Sequence, residues 1–258
     1  MRILVVCPIP VEFTSCRSQF GLRDHEPITG CRAARGPAAG VDFIAVQAGP
    51  AKARAAAATM AAIDALQPDL VLDTGTCGAL DGGQIVGGVV VASECVEYDI
   101  SGSGLPRRLI PEMRLPSALA LLPRPAAERL LREATEIGQG LQLHVSGGSQ
   151  ACGEFFIQSG DVRDSLRTLT GALAANWETA GVFVAALRSG VPPLSIRSVT
   201  DLGDERSLKE FRRNARRSAR GLYRYVRSLA DAGWFQGLGD CWREQGPTPA
   251  RIARAVLP

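Results

Sequence analysis

Short β-rich apolar runs alternate with helical stretches along most of this 258-residue chain, and that alternation restricts the fold more than any other feature. Ile3–Cys7, Phe43–Ala48, Leu70–Asp73, Ile85–Ala92, Leu141–Val145 and Leu194–Val199 read as strands. Ala51–Leu66, Ala126–Ile137, Thr179–Ser189 and Leu208–Ala230 read as helices, the first with Met60, Ile63 and Leu66 on one side. Strands separated by helices of this length form an α/β sheet covered by helices. The link from Leu70–Asp73 to Ile85–Ala92 is Gly-rich and has no room for a crossover helix, so a mixed sheet is expected. Leu105–Pro125 is Pro-rich and expected to be irregular. The tail beyond Ala230, with Gly233, Gly237, Gly239, Pro247 and Pro249, is expected to be an appendage of low regularity. The division expected is a domain 1–230 and a C-terminal extension 231–258.

Composition narrows the function classes. Hydrophobic residues make up 46% of the chain, as in a globular protein with one large core. The net charge is only +3, so nucleic-acid binding is not expected. The cationic cluster Arg212–Arg227 has helical spacing and reads first as the solvated face of a late helix, with nucleic acid or an acidic partner as the alternative. Seven cysteines without CxxC spacing, and two histidines remote from them, argue against a zinc site or a disulfide framework. Free thiols point to the cytoplasm. The N-terminal apolar run is short and reads as a strand, not a signal peptide, and no run is long enough to span a membrane. No metal or other cofactor is implied, and no membrane partner is expected.

In α/β sheets ligands bind beyond the carboxyl ends of the strands. By that rule Glu12, the small-residue segment Asp73–Gly78 (DTGTCG) and Asp201 fall on one rim. DTGTCG is not a Walker A loop, there is no Gly-x-Ser-x-Gly elbow, and two histidines give a catalytic triad little support. Carboxylates remain. In Asn176–Asp201 (NWETAGVFVAALRSGVPPLSIRSVTD), Glu178 and Asp201 stand at the edges of apolar segments, with Arg197 four residues before Asp201. Such acids are either structural, as a solvated turn at Glu178 and a helix cap at Asp201, or held in a pocket for use. Glu12 is either a first-turn helix residue or a third member of that set. Three separately tuned carboxylates can divide the work of breaking a glycosidic bond.

The motifs MRILVVCPIPVEF, AGPAKARAA, DTGTCGAL, CGEFFI, NWETAG and VPPLSIRSVTD occur in the order found in a known superfamily. From Met1 to about Ala230 the chain resembles the nucleoside phosphorylase/nucleosidase superfamily, in particular methylthioadenosine/S-adenosylhomocysteine nucleosidases and futalosine hydrolases. The resemblance implies a mixed central sheet flanked by helices, a homodimer, and hydrolysis of the N-glycosidic bond of a 5′-modified purine nucleoside. By position, it implies that Glu12 is the general base on water, with Thr76 and Arg197 holding that water. Asp201 is the acid that protonates purine N7. Phe156 and Ile157 bind the base, Glu178 clamps the ribose hydroxyls, and Ile9 and Leu208 line the 5′ pocket. Trp177 stands where a Met usually lies beneath the ribose, and Asn176 where an acid is common. The segment Pro106–Arg114, which would help to define the 5′ pocket, does not match. Related phosphorylases place an Arg three residues before Thr76; here it is Asp73, whose carboxylate would repel phosphate, so water is favoured as nucleophile. A phosphate-dependent phosphorylase and a nucleoside-binding protein that has lost catalysis are the alternatives. Salvage, menaquinone synthesis and secondary metabolism all remain open as the pathway.

Overall fold

The computed structural model describes residues 1–99 and 114–254. Ten strands form one mixed sheet: β1 (Arg2–Cys7), β2 (Arg23–Ile28), β3 (Cys31–Ala38), β4 (Val41–Gln47), β5 (Leu70–Ala79), β6 (Val89–Glu97), β7 (Arg114–Pro116), β8 (Val145–Cys152), β9 (Ala174–Asn176) and β10 (Pro193–Asp201). The helices are α1 (Pro10–Phe20), α2 (Lys52–Leu66), α3 (Arg124–Gly140), α4 (Gly160–Thr170), α5 (Thr179–Arg188), α6 (Ser207–Asp231), α7 (Trp234–Gln245) and α8 (Pro249–Arg254). The strand order is β10-β6-β8-β9-β5-β1-β4-β3-β2, and β10 also pairs in parallel with β5, so five strands close into a ring. The expected mixed α/β sheet is present.

The period-two alternation of β1 shows how the layers form. Ile3, Val5 and Cys7 point into a core shared with α1, α3, α6 and α7. Leu4 and Val6 point into the opposite core, built on α2 and α5. A strand buried on both faces reads as a continuous apolar run, which is why β1 was legible.

Several sequence expectations are corrected. DTGTCG is not a loop: β5 continues through it to Ala79. The strand expected at Ile85–Ala92 starts at Val89 and runs to Glu97. The one expected at Leu141–Val145 starts at Val145 and runs to Cys152. Its sequence, VSGGSQAC, looks like a turn because close packing demands glycine: a Cβ at Gly147 would lie 2.3 Å from Leu131 Cδ2 of α3. The hairpins joining β2, β3 and β4 were missed because their strands lack alternation. Their turns, Thr29-Gly30 and Ala39-Gly40, both adopt positive φ. Helix α1 is absent from the helices expected from sequence, though Pro10 in its first turn and Glu12 close behind are start signals. Within Leu105–Pro125, residues 105–113 lie outside the described residues; Arg114–Pro116 is a strand and Arg124 opens α3.

The tail is not irregular. It forms α7 and α8, and α7 buries Trp234, Phe235, Leu238 and Cys241 in the main core. Phe235 meets Phe43 of β4 edge-on at 5.9 Å, and Trp234 Nε1 donates to the Leu130 carbonyl of α3 at 2.8 Å. Glycines 233, 237 and 239 suggested looseness, but the aromatic pair between them supplies the anchoring area. Trp234→Ala is expected to lower unfolding stability by about 3–5 kcal/mol. Denaturant unfolding measures this; a loss within error would show that α7 does not seal the core.

Candidate active site

Arg197 stands centrally on β10, only 1% exposed, and its geometry organises the floor of the site. Its Nε and Nη2 donate to Asp73 Oδ2 and Oδ1 of β5 at 3.0 and 2.8 Å, a two-point grip. Its Nη1 donates to Glu178 Oε2 at 3.1 Å and to the Thr76 carbonyl at 3.0 Å. Burial alone would weaken its charge, but Asp73 and then Glu178 outweigh that and hold the guanidinium protonated. Asp73 is fully buried and absent from the pocket wall, so the expectation that it repels phosphate directly is corrected: it acts by occupying the guanidinium. Thr179 Oγ1 donates to it at 2.7 Å, and Ser195 Oγ lies at the same distance.

Above this floor Glu12, on the first turn of α1, is 1% exposed. Its Oε1 accepts from the Thr76 amide at 2.8 Å and the Thr76 hydroxyl at 2.9 Å, and its Oε2 from the Ile9 amide at 3.0 Å. Burial raises its pKa from 4.5 to about 7, against the lowering pull of Arg197 and with Glu178 adding to the rise. Close approach of β5 makes this possible. Gly75 has φ +146°, and a Cβ there would lie 2.9 Å from Glu12 Oε1 and 3.1 Å from Arg197 Nη1. Three residues further, about 10 Å along the strand, a Cβ at Gly78 would lie 2.9 Å from Asp201 Oδ1.

Asp201 ends β10 and is no helix cap; it is 4% exposed. Its pKa is raised by burial, against the Thr200 hydroxyl, which donates to Oδ2 at 2.9 Å. Glu178 is no solvated turn either, at 6% exposure. Burial raises its pKa while Arg197 pulls it down. The other oxygen of Glu178 accepts from the Ala51 amide at 3.1 Å. Ala51 pays for that contact in backbone strain, holding φ 80° and ψ 154° at the N-terminus of α2. Asn176, where the resemblance expects an acid, accepts from the Glu178 and Thr179 amides at 3.0 and 2.9 Å and so caps α5. The negative charge that Arg197 needs comes from Asp73 instead.

These groups open onto a pocket of about 440 Å³. Of the ten residues singled out from sequence, nine line it: Ile9, Glu12, Thr76, Phe156, Ile157, Trp177, Glu178, Asp201 and Leu208. Arg197 lies beneath it. Trp177 packs edge-on against Phe156, ring centres 6.0 Å apart, and its Nε1 donates to the Phe155 carbonyl at 3.3 Å. Sequence reasoning missed Tyr98, Phe155 and Phe211 in the wall and the partnership of Asp73 with Arg197. Asp73 had a signal, a lone acid inside an apolar strand; Tyr98 and Phe211 had none. Two buried carboxylates whose pKa values burial raises, Glu12 and Asp201, face an apolar cavity and can supply an acid and a base to a bound molecule.

A family model described as the phosphorylase superfamily matches residues 2–231. A 5′-methylthioadenosine/S-adenosylhomocysteine nucleosidase of Tolumonas auensis is 28% identical over 215 residues, which is 82% of this chain and 90% of that one. Among solved structures, the 5′-methylthioadenosine/S-adenosylhomocysteine nucleosidase from Helicobacter pylori aligns with a TM-score of 0.78 at 23% identity, over 90% of this chain and 98% of the other. The futalosine hydrolase of Helicobacter pylori strain 26695 aligns equally well, with a TM-score of 0.78, 23% identity and the same coverage. At that identity both speak to the fold. The family match takes in every strand of the sheet, and the chain belongs to the phosphorylase superfamily.

Proposed function

We propose that this protein hydrolyses the N-glycosidic bond of a purine nucleoside with a modified 5′ position, releasing the free base. One observation carries the choice of water over phosphate. Among the described residues no lysine, arginine or histidine lines the pocket, and the one guanidinium beneath it is engaged by Asp73 and Glu178. A phosphate dianion would find no cation there, whereas water needs only a base. Glu12 takes a proton from water as the oxygen adds to C1′. The C1′–N9 bond breaks with its electron pair going to the purine, and Asp201 delivers a proton to N7 so that the base leaves neutral. Glu178 holds the ribose hydroxyls, Phe156 and Ile157 hold the base, and Thr76 and Arg197 orient Glu12 and the water. Ile9 and Leu208 face the 5′ group; with Phe211 beside them they favour an apolar substituent. Methylthioadenosine, adenosylhomocysteine and futalosine, the compounds named for the relatives, are the candidates.

Three further features belong to this reading. A homodimer is supported by the kinship with nucleosidases and by Phe155, 56% exposed at the pocket mouth. A cytoplasmic location is supported by seven free cysteines, six of them buried. The division 1–230 and 231–258 is one of ancestry and not of packing: the family match ends at 231, while α7 joins the same core.

Purified protein incubated with these nucleosides should release base at the same rate with and without inorganic phosphate, and Asp201→Asn should lower kcat by about 10²–10⁴-fold with an unchanged unfolding midpoint. Phosphate-dependent release, or normal turnover by the variant, would sink the assignment. The pH dependence gives a separate check. A base with its pKa near 7 makes kcat/KM climb about tenfold per pH unit below 7 and level off above it. The same group affects stability. Its folded pKa is above its unfolded value, so the folded state binds the extra proton, and stability falls as pH rises from 4.5 to about 7. The drop from this group is about 3 kcal/mol, and Glu12→Gln should remove the kinetic limb and make the stability slope shallower by that amount. A wild-type rate profile flat through that range contradicts the base role.

A further inference from the structure

Helix α6 begins at the pocket, where Leu208 and Phe211 line the wall, and then runs away from it with an unmixed cationic face. From Lys209 to Arg224 it carries seven cations (Lys209, Arg212, Arg213, Arg216, Arg217, Arg220 and Arg224) and one acid, Glu210, against +3 for the whole chain. All seven cations are exposed. The ion pairs of this helix sit at its ends, Glu210 with Arg206 and Arg227 with Asp231, and none of the seven forms one among the described residues. Elsewhere charges are mixed: α3 pairs Arg124 with Glu128 and Arg129 with Glu133. An ordinary solvated helix face alternates its signs in that way. Seven like charges along one face repel one another, and an opposed negative surface relieves that cost.

A second observation says what kind of surface. Arg213, Arg217, Arg220 and Arg224 share a groove of about 910 Å³ with the turn that precedes β6, and among its described lining residues there is no acid. That turn presents Ile85 and Val86 to solvent, 55% and 37% exposed. Leu208, 41% exposed, stands at the helix start. A branched apolar pair beside a cationic helix face matches a lipid interface, where cations meet headgroups and apolar tips enter the acyl boundary. Nucleic acid would favour large aromatic platforms among the cations, and the described groove lining has no Phe, Tyr or Trp, its one aromatic ring being the imidazole of His144.

We propose that the exposed face of α6, with the Ile85-Val86 turn, docks on an anionic lipid bilayer. The expectation of no membrane partner rested on the lack of a spanning segment; no helix among the described residues is long and apolar enough to cross a membrane. Surface docking needs no such helix. It sets the pocket mouth, at the start of the same helix, beside the headgroups. The proposal is independent of the reaction assigned above.

Full-length protein is to be co-sedimented with vesicles of phosphatidylcholine alone, and of phosphatidylcholine and phosphatidylglycerol in equal parts, at low and high salt. The double variants Arg213→Glu/Arg217→Glu and Ile85→Ser/Val86→Ser are carried in parallel, with the unfolding midpoint of each as a folding control. The expected result is partition onto the anionic vesicles only, weakened by salt, reduced at least about tenfold by the Glu pair and severalfold by the Ser pair. Equal partition onto neutral vesicles, no partition at all, or binding that ignores either pair in a folded variant overturns the proposal. Tighter binding to a single-stranded oligoribonucleotide than to anionic vesicles would assign the face to nucleic acid instead.

Discussion

The buried ion network centred on Arg197 is the constraint around which the site is arranged. A guanidinium at 1% exposure must be fully paired, because each unpaired ion in an interior costs several kcal/mol. Asp73 supplies the two-point partner from the neighbouring strand and Glu178 the second carboxylate from the start of α5. That pairing depends on the register of β10 with β5, which sets Ser195 opposite Asp73 and Arg197 opposite Gly75. A slip of one residue would turn Arg197 to the other face of the sheet and leave both acids uncompensated. The sheet register and the electrostatics of the pocket therefore enforce each other.

The network also selects among the acids. Glu178 is pinned by two donors, Arg197 and the strained Ala51 amide, and is suited to holding a ligand in place. Glu12 receives three hydrogen bonds and the pull of the guanidinium without a direct hydrogen bond to it, so burial prevails and its pKa reaches about 7. Asp201 lies at the far end of the pocket, where the Thr200 hydroxyl and the Gly203 amide donate to it and burial again prevails. Burial raises all three carboxylates, and Arg197 opposes that rise at Glu12 and Glu178. Asp73 on β5 supplies the buried charge that grips Arg197, and Asn176 is left to cap a helix.

Legibility followed burial. The strands buried on both faces, β1, β4 and β10, show as apolar runs, and the long helices α2 and α6 show as periodic ones. Among the strands that were misplaced or missed, β2, β3 and β8 are partly exposed, β7 and β9 are only three residues long, β6 was displaced by its Gly-rich lead-in, and in β8 two glycines were selected by a neighbouring helix and loop. Nothing local marks such a glycine as a packing residue. The tail failed for the opposite reason: its glycines were counted, while the aromatic pair Trp234-Phe235 was not weighed as an anchor.

By itself the sequence determined the α/β class through local periodicity, and its motifs carried the superfamily resemblance that implied nine residues of the pocket wall, of which Glu12, Glu178 and Asp201 also stand out as residue types costly to bury without use. Only the tertiary structure decided which acid faces which cation. Asp73 reads as a pocket residue in the sequence, yet it lies behind Arg197, since strand pairing across more than a hundred residues brings the two together. It is likewise the packing of α1 and β1 on one side of α6 that leaves the other side, with its unpaired arginines, facing outward. Charge on a helix can be counted in a sequence, but whether it is paired depends on neighbours that only folding supplies.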